Sequence, residues 1–411
     1  MASQFDITDL RTALLPYIEE AIQDISGPDG EWAATGGVSP LQGAEEEVTR
    51  PRTDSEDRGG SQLFLLETPP SPRFPTTRYQ GSKVKLAPWI RQHIKGLAFE
   101  TALDAFGGTG CIAHLLKRHG KEVTYNDLLR SNRLIGLALI ENDSIRLSQD
   151  DVELLLSPHQ GMAYPDFIRR TFAGIYFTDD ENAWLDMVAT NIRHLDDPCK
   201  QALAYFALFE ACLVKRPFNL FHRKNLYLRA ADVPRTFGNK VTWDTPFPAH
   251  FRKFVAAGNR AVFANGRRNR ATNADAMEIA GSYDLVYVDT PYISTDGIGV
   301  DYLAFYHFLE GLADYEHWAE HIDFGTKHRA FQKQPCEWCD RNRVHQAFDK
   351  LFERFRDSIL VVSYRADGIP SIPELVSLLR RHKQRVNVTH TLNYRYVLSK
   401  RRSAEVLLVA Q

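Results

Sequence analysis

No apolar run in this 411-residue chain reaches the ~18 residues that a membrane-crossing helix requires, so no such helix is expected. The opening Met1-Ala2-Ser3-Gln4-Phe5-Asp6 lacks a basic segment leading into an apolar core, and no secretion signal is expected. Cysteine is scarce: five across the chain, an odd number that fits a reducing cytoplasm better than a disulfide framework. Metal-ligand spacing is scarce too. Cys336-Glu337-Trp338-Cys339 is half of a zinc pattern, with His328 and His345 nearby in sequence, but no second pair follows. No metal site is expected, and no βαβ context supports a thioredoxin-like redox role.

Net charge is only −2, yet it is unevenly placed. Residues 213–270 hold 13 Lys/Arg against Asp232 and Asp244, a local +11, leaving −13 on the rest. A basic segment on an acidic protein points to a polyanion-binding surface. In it, Arg216, Asn219, Arg223, Lys224, Asn225 and Lys240 interleave with Phe, Tyr and Trp. Lys and Arg suit phosphates, whereas Asn and Arg suit base edges. Residues 240–243 read as a hairpin strand. An apolar content of 44% provides for a large core, in two or three domains or in one catalytic domain with insertions.

Along the chain, residues 1–26 carry a helical stripe (Phe5, Leu10, Leu14, Leu15, Ile18, Ile22, Ile25), and 27–75 read as a flexible linker rich in Gly, Pro, Ser and charge. Tyr79-Gln80-Gly81-Ser82-Lys83 follows. Its glycine permits close backbone approach, while Tyr79 and Lys83 offer a ring and a cation to a ligand carboxylate. A buried strand then ends in Asp104-Ala105-Phe106-Gly107-Gly108-Thr109-Gly110 and runs into a helix. A strand, a glycine turn and a helix start suit a nucleoside cofactor, and Asp127, at the end of a second strand, is placed to hold ribose hydroxyls. Residues 128–215 read as helical throughout.

The stretch that organises the rest is Val288-Asp289-Thr290-Pro291-Tyr292, at the end of an apolar strand. Asp289 and the Thr290 carbonyl can accept both hydrogens of an amino group on a flat ring, with Tyr292 stacked on the ring face. Asp275, shortly before, can accept from a cofactor's adenine amino group. Residues 301–323 read as a helix whose aromatics are core. A final hairpin carries Arg395 at a basic tip.

In this order, the Tyr79–Lys83 stretch, Phe106-x-Gly108-x-Gly110, the basic region and Asp289-Thr290-Pro291-Tyr292 resemble the Dam-like adenine-N6 DNA methyltransferases over residues 77–411. The resemblance implies an α/β fold with a Rossmann-like seven-stranded methyltransferase sheet, mostly parallel and ending in an antiparallel hairpin. The catalytic domain would be 76–140 with 271–411, and 141–270 an inserted helical and target-recognition region. It implies S-adenosylmethionine as cofactor, near Tyr79, Gly81, Lys83, Asp104, Phe106, Gly108, Gly110, Asp127, Asp275 and Asp289. It also implies double-stranded DNA as substrate, with an extruded adenine attacking the sulfonium methyl, in a monomer or weak homodimer of a restriction-modification or related defence system. A companion endonuclease is left open. Thr290 departs from the family's usual proline, which keeps the carbonyl but loosens the turn. The same acid-and-carbonyl site would also suit RNA or a protein amide, and a decayed, purely DNA-binding relative would share the fold.

Overall fold

The computed structural model describes residues 72–222, 226, 229, 240–297, 299–390 and 404–411. The expected N-terminal helix, nearly all of the linker, Arg223, Lys224, Asn225 and Arg395 lie outside them. Helix α1 (Ala87–Ile94) leads into β1 (Thr101–Asp104), α2 (Cys111–Arg118) and β2 (Glu122–Asn126). A long helical stretch follows: α3 (Arg130–Gly136) running into a π-helical turn, α4 (Gln149–Leu156), α5 (Phe167–Thr171), α6 (Asp179–Arg193), α7 (Pro198–Val214), α8 (Lys240–Asp244) and α9 (Phe247–Ala261). Then come β3 (Arg270–Thr272), β4 (Leu285–Val288), β5 (Ile293–Ser294), α10 (Tyr302–Ala313), α11 (Trp318–His321), α12 (Val344–Arg354), β6 (Ile359–Arg365), β7 (Gly368–Ile369), α13 (Ile372–His382), β8 (Val386–His390) and β9 (Glu405–Ala410).

Seven strands form one sheet in the order β3-β2-β1-β4-β6-β9-β8. The first five in that order run parallel, while β9 pairs antiparallel with β6 and with β8. The parallel strands are apolar because helices cover both faces: Leu285–Val288 is buried at every residue. Leu103, Val286, Val288, Leu360 and Leu408 belong to one core layer, and Ala102, Val123, Tyr287, Val361 and Leu407 to the other. The chain goes outward from β1 to β3 and returns to place β4 on β1's other side. That reversal opens a crevice at the carboxyl ends of β1 and β4, where ligands of such sheets bind.

Residues 240–243 are helical rather than strand. Lys215 Nζ donates to the carbonyls of Trp243 (2.7 Å) and Thr245 (2.7 Å), which satisfies the helix's C-terminal acceptors and overrides the β-branched character of Val241 and Thr242. The helix over 302–313 is present, and Tyr306, Phe308, Tyr315 and Trp318 are core, as expected. Tyr302 is different, because it lines the crevice.

Candidate active site

Asp289 leaves β4 at this crevice, where it is 15% exposed. Lys83 Nζ donates to its Oδ1 at 2.7 Å and to the Tyr292 hydroxyl at 2.5 Å, and lies 3.5 Å from Glu405 Oε1. The Tyr292 hydroxyl is itself 2.7 Å from Asp289 Oδ1 and 3.1 Å from Glu405 Oε1. Ser363, on β6, donates to that same Glu405 oxygen. One cation therefore serves two acids. Burial alone would lower the Lys83 pKa, but Asp289 and Glu405 outweigh it and hold the ammonium above the ordinary lysine value. Burial pushes the Asp289 carboxyl upward, Lys83 pulls it back, and Glu405 adds a further upward push.

Two expectations are corrected here. Lys83 is not free for a ligand carboxylate, because the chain's own acids hold it. Nor is the face of Tyr292 open for stacking: the residue is 8% exposed, its ring packs edge-on against Tyr364 at 5.1 Å, and Lys83 sits 4.9 Å from the ring centre. What Tyr292 presents to the site is its hydroxyl. Thr290 is buried with its Oγ1 unpartnered, and Pro291 lines the cavity.

The glycine loop is fastened from below by Tyr125. This ring is wedged between two glycines: a Cβ on Gly107 would lie 2.0 Å from it, and one on Gly136 2.3 Å. Its hydroxyl donates to the carbonyl of Gly108 at 2.7 Å. Asp127 Oδ2 accepts the Gly108 amide and Oδ1 the Leu129 amide. The Gly107 amide goes to the Asn126 carbonyl and the Gly110 amide to the Gly107 carbonyl. The amides of Gly107, Gly108 and Gly110 are thus spent on the loop's own shape. Asp127 lines the cavity while anchoring Gly108, and it also accepts from the Asn132 side chain and the Leu128 amide.

Asp104 closes β1. Its Oδ2 accepts the Ala113 amide, and its Oδ1 is buried without a partner. Burial first, and then the charge of Asp289, push its carboxyl up to about 8. Phe106, Gly108, Asp275 and the exposed Leu128 continue the cavity wall. Tyr79 stacks on Tyr306 (4.1 Å) and Tyr302 (5.9 Å). Gly81 sits beside them with φ +84°, where a Cβ would lie 2.4 Å from the Tyr302 hydroxyl, so only glycine fits. Cys336 and Cys339, with sulfurs 2.7 Å apart, also line the cavity, and Trp338 between them in sequence packs edge-on against Phe106 at 5.0 Å. Among the described residues no group of three or more His, Cys, Asp or Glu is arranged to hold a metal.

The basic segment is less basic in space than in sequence. Lys215 and Arg229 pair with Glu181, Arg252 with Glu153, and Arg267 with Glu100. Arg267 and Arg270 sit at the amino end of β3, the sheet edge opposite the cavity. Arg216, expected at DNA, is 2% exposed. Its Nε donates to the Leu220 carbonyl and its guanidinium covers the Tyr176 ring at 4.6 Å. It is a core residue. Directly after it, Phe218 and Asn219 adopt left-handed backbone (φ 56° and 58°) and Phe218 is 42% exposed. Such conformations are costly for a bulky residue and here are held by the buried Arg216 and Pro217. Lys240 begins α8.

Sequence reasoning missed Glu405, Ser363, Tyr125 and Tyr302. For Glu405 a signal existed: a lone acid opens the otherwise apolar run 405–410.

A carboxylate beside a fixed ammonium, at the mouth of a cavity lined by glycines, acids and aromatics, can accept hydrogens from a planar amino group. The model of the D12 class of N6 adenine-specific DNA methyltransferases matches residues 79–365. Among curated relatives, Type II methyltransferase M2.HphI of Haemophilus parahaemolyticus is 29% identical over 78% of this chain and 92% of its own. Type II methyltransferase M.CviAII of Paramecium bursaria Chlorella virus 1 is 24% identical over 74% and 88%. M.FokI of Planomicrobium okeanokoites is 24% identical over 74% of this chain, which spans only 47% of that longer protein. The match to the class extends from Tyr79 through the Asp289 stretch to Arg365, and the chain belongs to the D12 class of N6 adenine-specific DNA methyltransferases.

Proposed function

We propose that this enzyme takes its methyl group from S-adenosylmethionine and delivers it to N6 of an adenine extruded from duplex DNA, in a cytoplasmic restriction-modification or related defence system. The observation that carries this reading is Asp289, held by Lys83 at the carboxyl end of β4, on the cavity wall. When bound, S-adenosylmethionine supplies an electrophilic methyl on a sulfonium.

The lining suits that group. Asp104 has an unpartnered buried oxygen, Phe106 and Leu128 are apolar, and Asp127 and Asp275 line the same cavity. The acids around Lys83 outnumber it, an environment favourable to a cation. Asp127 would hold the ribose, Asp275 the adenine amino group, and Tyr79, Gly81 and Phe106 the wall. Asp289 and the Thr290 carbonyl would accept the target amino hydrogens, favouring a tetrahedral nitrogen with an exposed lone pair. Extrusion is required because N6 in a paired base cannot reach the donor, and unstacking costs a few kcal/mol. Residues 141–270 would form the target-recognition region. In support, Phe218 is exposed on the turn that follows α7, and Phe221 N–H binds the Phe305 carbonyl (2.9 Å), one turn from the cavity residue Tyr302.

The test is incubation with duplex DNA and labelled S-adenosylmethionine, then nucleoside digestion. The expected product is N6-methyladenine, lost in Asp289→Ala. Label on RNA or protein instead would redirect the substrate, and absence of cofactor binding would mark a decayed fold.

A further inference from the structure

Cys336 and Cys339 take no part in the transfer as described, yet both line the cavity that holds Asp104 and Asp289. Their sulfurs lie 2.7 Å apart across the single 3-10 turn Glu337–Cys339. Two sulfurs sharing a tetrahedral zinc at the usual ~2.3 Å bond length stand about 3.8 Å apart. A gap of 2.7 Å is too narrow for a shared metal and suits a bond between the sulfurs. Both thiols are partly exposed, whereas Cys111 and Cys212 are buried.

The two sulfurs differ in reactivity. Cys336 accepts from the Cys339 thiol and from the Cys339 and Trp338 amides, which together hold it below the ordinary thiol value. That same contact, and then burial, push Cys339 up. A thiolate beside a protonated thiol is the arrangement that thiol–disulfide exchange uses.

The turn also touches the catalytic stretch. Cys339 Sγ is 3.4 Å from the Val300 carbonyl, and the Val300 amide donates to the Tyr292 carbonyl at 3.0 Å. A Cβ on Gly299 would lie 2.5 Å from the Cys339 carbonyl oxygen, so the turn rests directly on this backbone. Trp338, between the cysteines in sequence, packs against the cavity residue Phe106. Bonding would draw the sulfurs in to about 2.05 Å. It would also remove the S–H that faces Val300, and so shift the backbone that carries Trp338 and supports Val300.

We propose that Cys336 and Cys339 form a reversible oxidation site for low-molecular-weight disulfides such as glutathione disulfide, and that the oxidised cavity binds S-adenosylmethionine less tightly. The Cys336 thiolate attacks one sulfur of the reagent, whose S–S bond breaks and releases one thiolate. Cys339 gives up its proton and attacks the Cys336 sulfur of the mixed disulfide, and the second thiolate leaves. One protein disulfide forms, one small disulfide is reduced, and the two cysteine protons end on the two released thiols. The loss of affinity rests on reading this cavity as the S-adenosylmethionine site.

Full-length enzyme is equilibrated in glutathione buffers of graded ratio, quenched in acid, alkylated and mapped by peptide mass. S-adenosylmethionine is titrated calorimetrically into the reduced and the oxidised forms. The expected results are a Cys336–Cys339 disulfide and a cofactor Kd raised roughly tenfold on oxidation, reversed by dithiothreitol. Coupling is reciprocal, so saturating cofactor should make half-oxidation harder by the same factor. The Kd of Cys336→Ser should not respond to the oxidant. Cys339→Ser should stall as the mixed disulfide on Cys336, which keeps the exchange measurable if the first variant does not fold. Absence of the disulfide across the series, an unchanged Kd in the oxidised enzyme, or a Kd response surviving in Cys336→Ser overturns the proposal. Reduced enzyme that binds no S-adenosylmethionine overturns the cofactor reading and with it the coupling, whether or not the disulfide forms.

Discussion

Lys83 and Asp289, 206 positions apart in sequence, close a 2.7 Å ion pair in which the lysine is 4% exposed. The pair joins the loop before α1 to the end of β4, so it couples two walls of the cavity. Removing one partner leaves buried charge uncompensated, which typically costs about 3–5 kcal/mol. Lys83→Met is expected to lower stability by that order, and Lys83→Met with Asp289→Asn to recover part of it, because one of the two carboxylates beside the missing ammonium is then neutral. Denaturant unfolding of the three proteins checks this. Equal stabilities would remove the pair from the account of the fold.

Asp104 predicts a pH signature. Its folded-state carboxyl, pushed up to about 8, lies above the ordinary aspartate value of 3.8, chiefly through burial and then through Asp289. Folding therefore favours the neutral form. That contribution is fully present below about pH 4 and is lost as pH rises through about 8. Asp104→Asn stays neutral throughout and keeps an oxygen for the Ala113 amide. Its Tm should match wild type near pH 4, and the gap should widen in the variant's favour up to about pH 8 and then level off. Thermal melts of both proteins without ligand provide the measurement.

Three parallel strands were legible because β1, β2 and β4 each end in or beside an acid, and Asp104, Asp127 and Asp289 do stand together at the crevice. Tertiary pairing was not legible. A count of cations cannot reveal that Glu181, Glu153 and Glu100, from distant segments, neutralise Lys215, Arg252 and Arg267. Nor does a local pattern show that Lys83 points at the chain's own acids. The turn at residues 240–243 misled for a related reason: Lys215, far back in sequence, satisfies that helix.

Tyr125 between Gly107 and Gly136 makes a steric prediction. Gly136→Ala sits in a helix, where alanine is intrinsically better by roughly 1 kcal/mol. Here its Cβ would lie 2.3 Å from the Tyr125 ring, inside any tolerable contact. Overpacking of that kind typically costs about 1–3 kcal/mol, so the net sign should be destabilising. The displaced ring should also release the Gly108 carbonyl and weaken cofactor binding. Chemical melts and a cofactor titration check both effects, and a stabilised variant with unaltered binding would refute the wedge.

Arg216 and Asn219, three residues apart, should separate structure from DNA contact. Arg216 is buried over Tyr176, and burial lowers its pKa to about 10, so it cannot meet a phosphate without leaving the core. Arg216→Met should therefore lower Tm while leaving the dependence of DNA affinity on salt unchanged. A lost phosphate contact would instead reduce the log–log slope by about 0.9. Asn219→Ala, on the left-handed turn, should lower Tm modestly, because alanine tolerates that backbone less well than asparagine, and should weaken binding to the recognised sequence more than to random duplex, because an asparagine that reads a base edge carries sequence information. Affinity measured across a salt series, on both DNAs and for both variants, resolves the two roles. A reduced salt slope in Arg216→Met would return that residue to the DNA surface, and equal weakening on both DNAs in Asn219→Ala would make it a backbone contact.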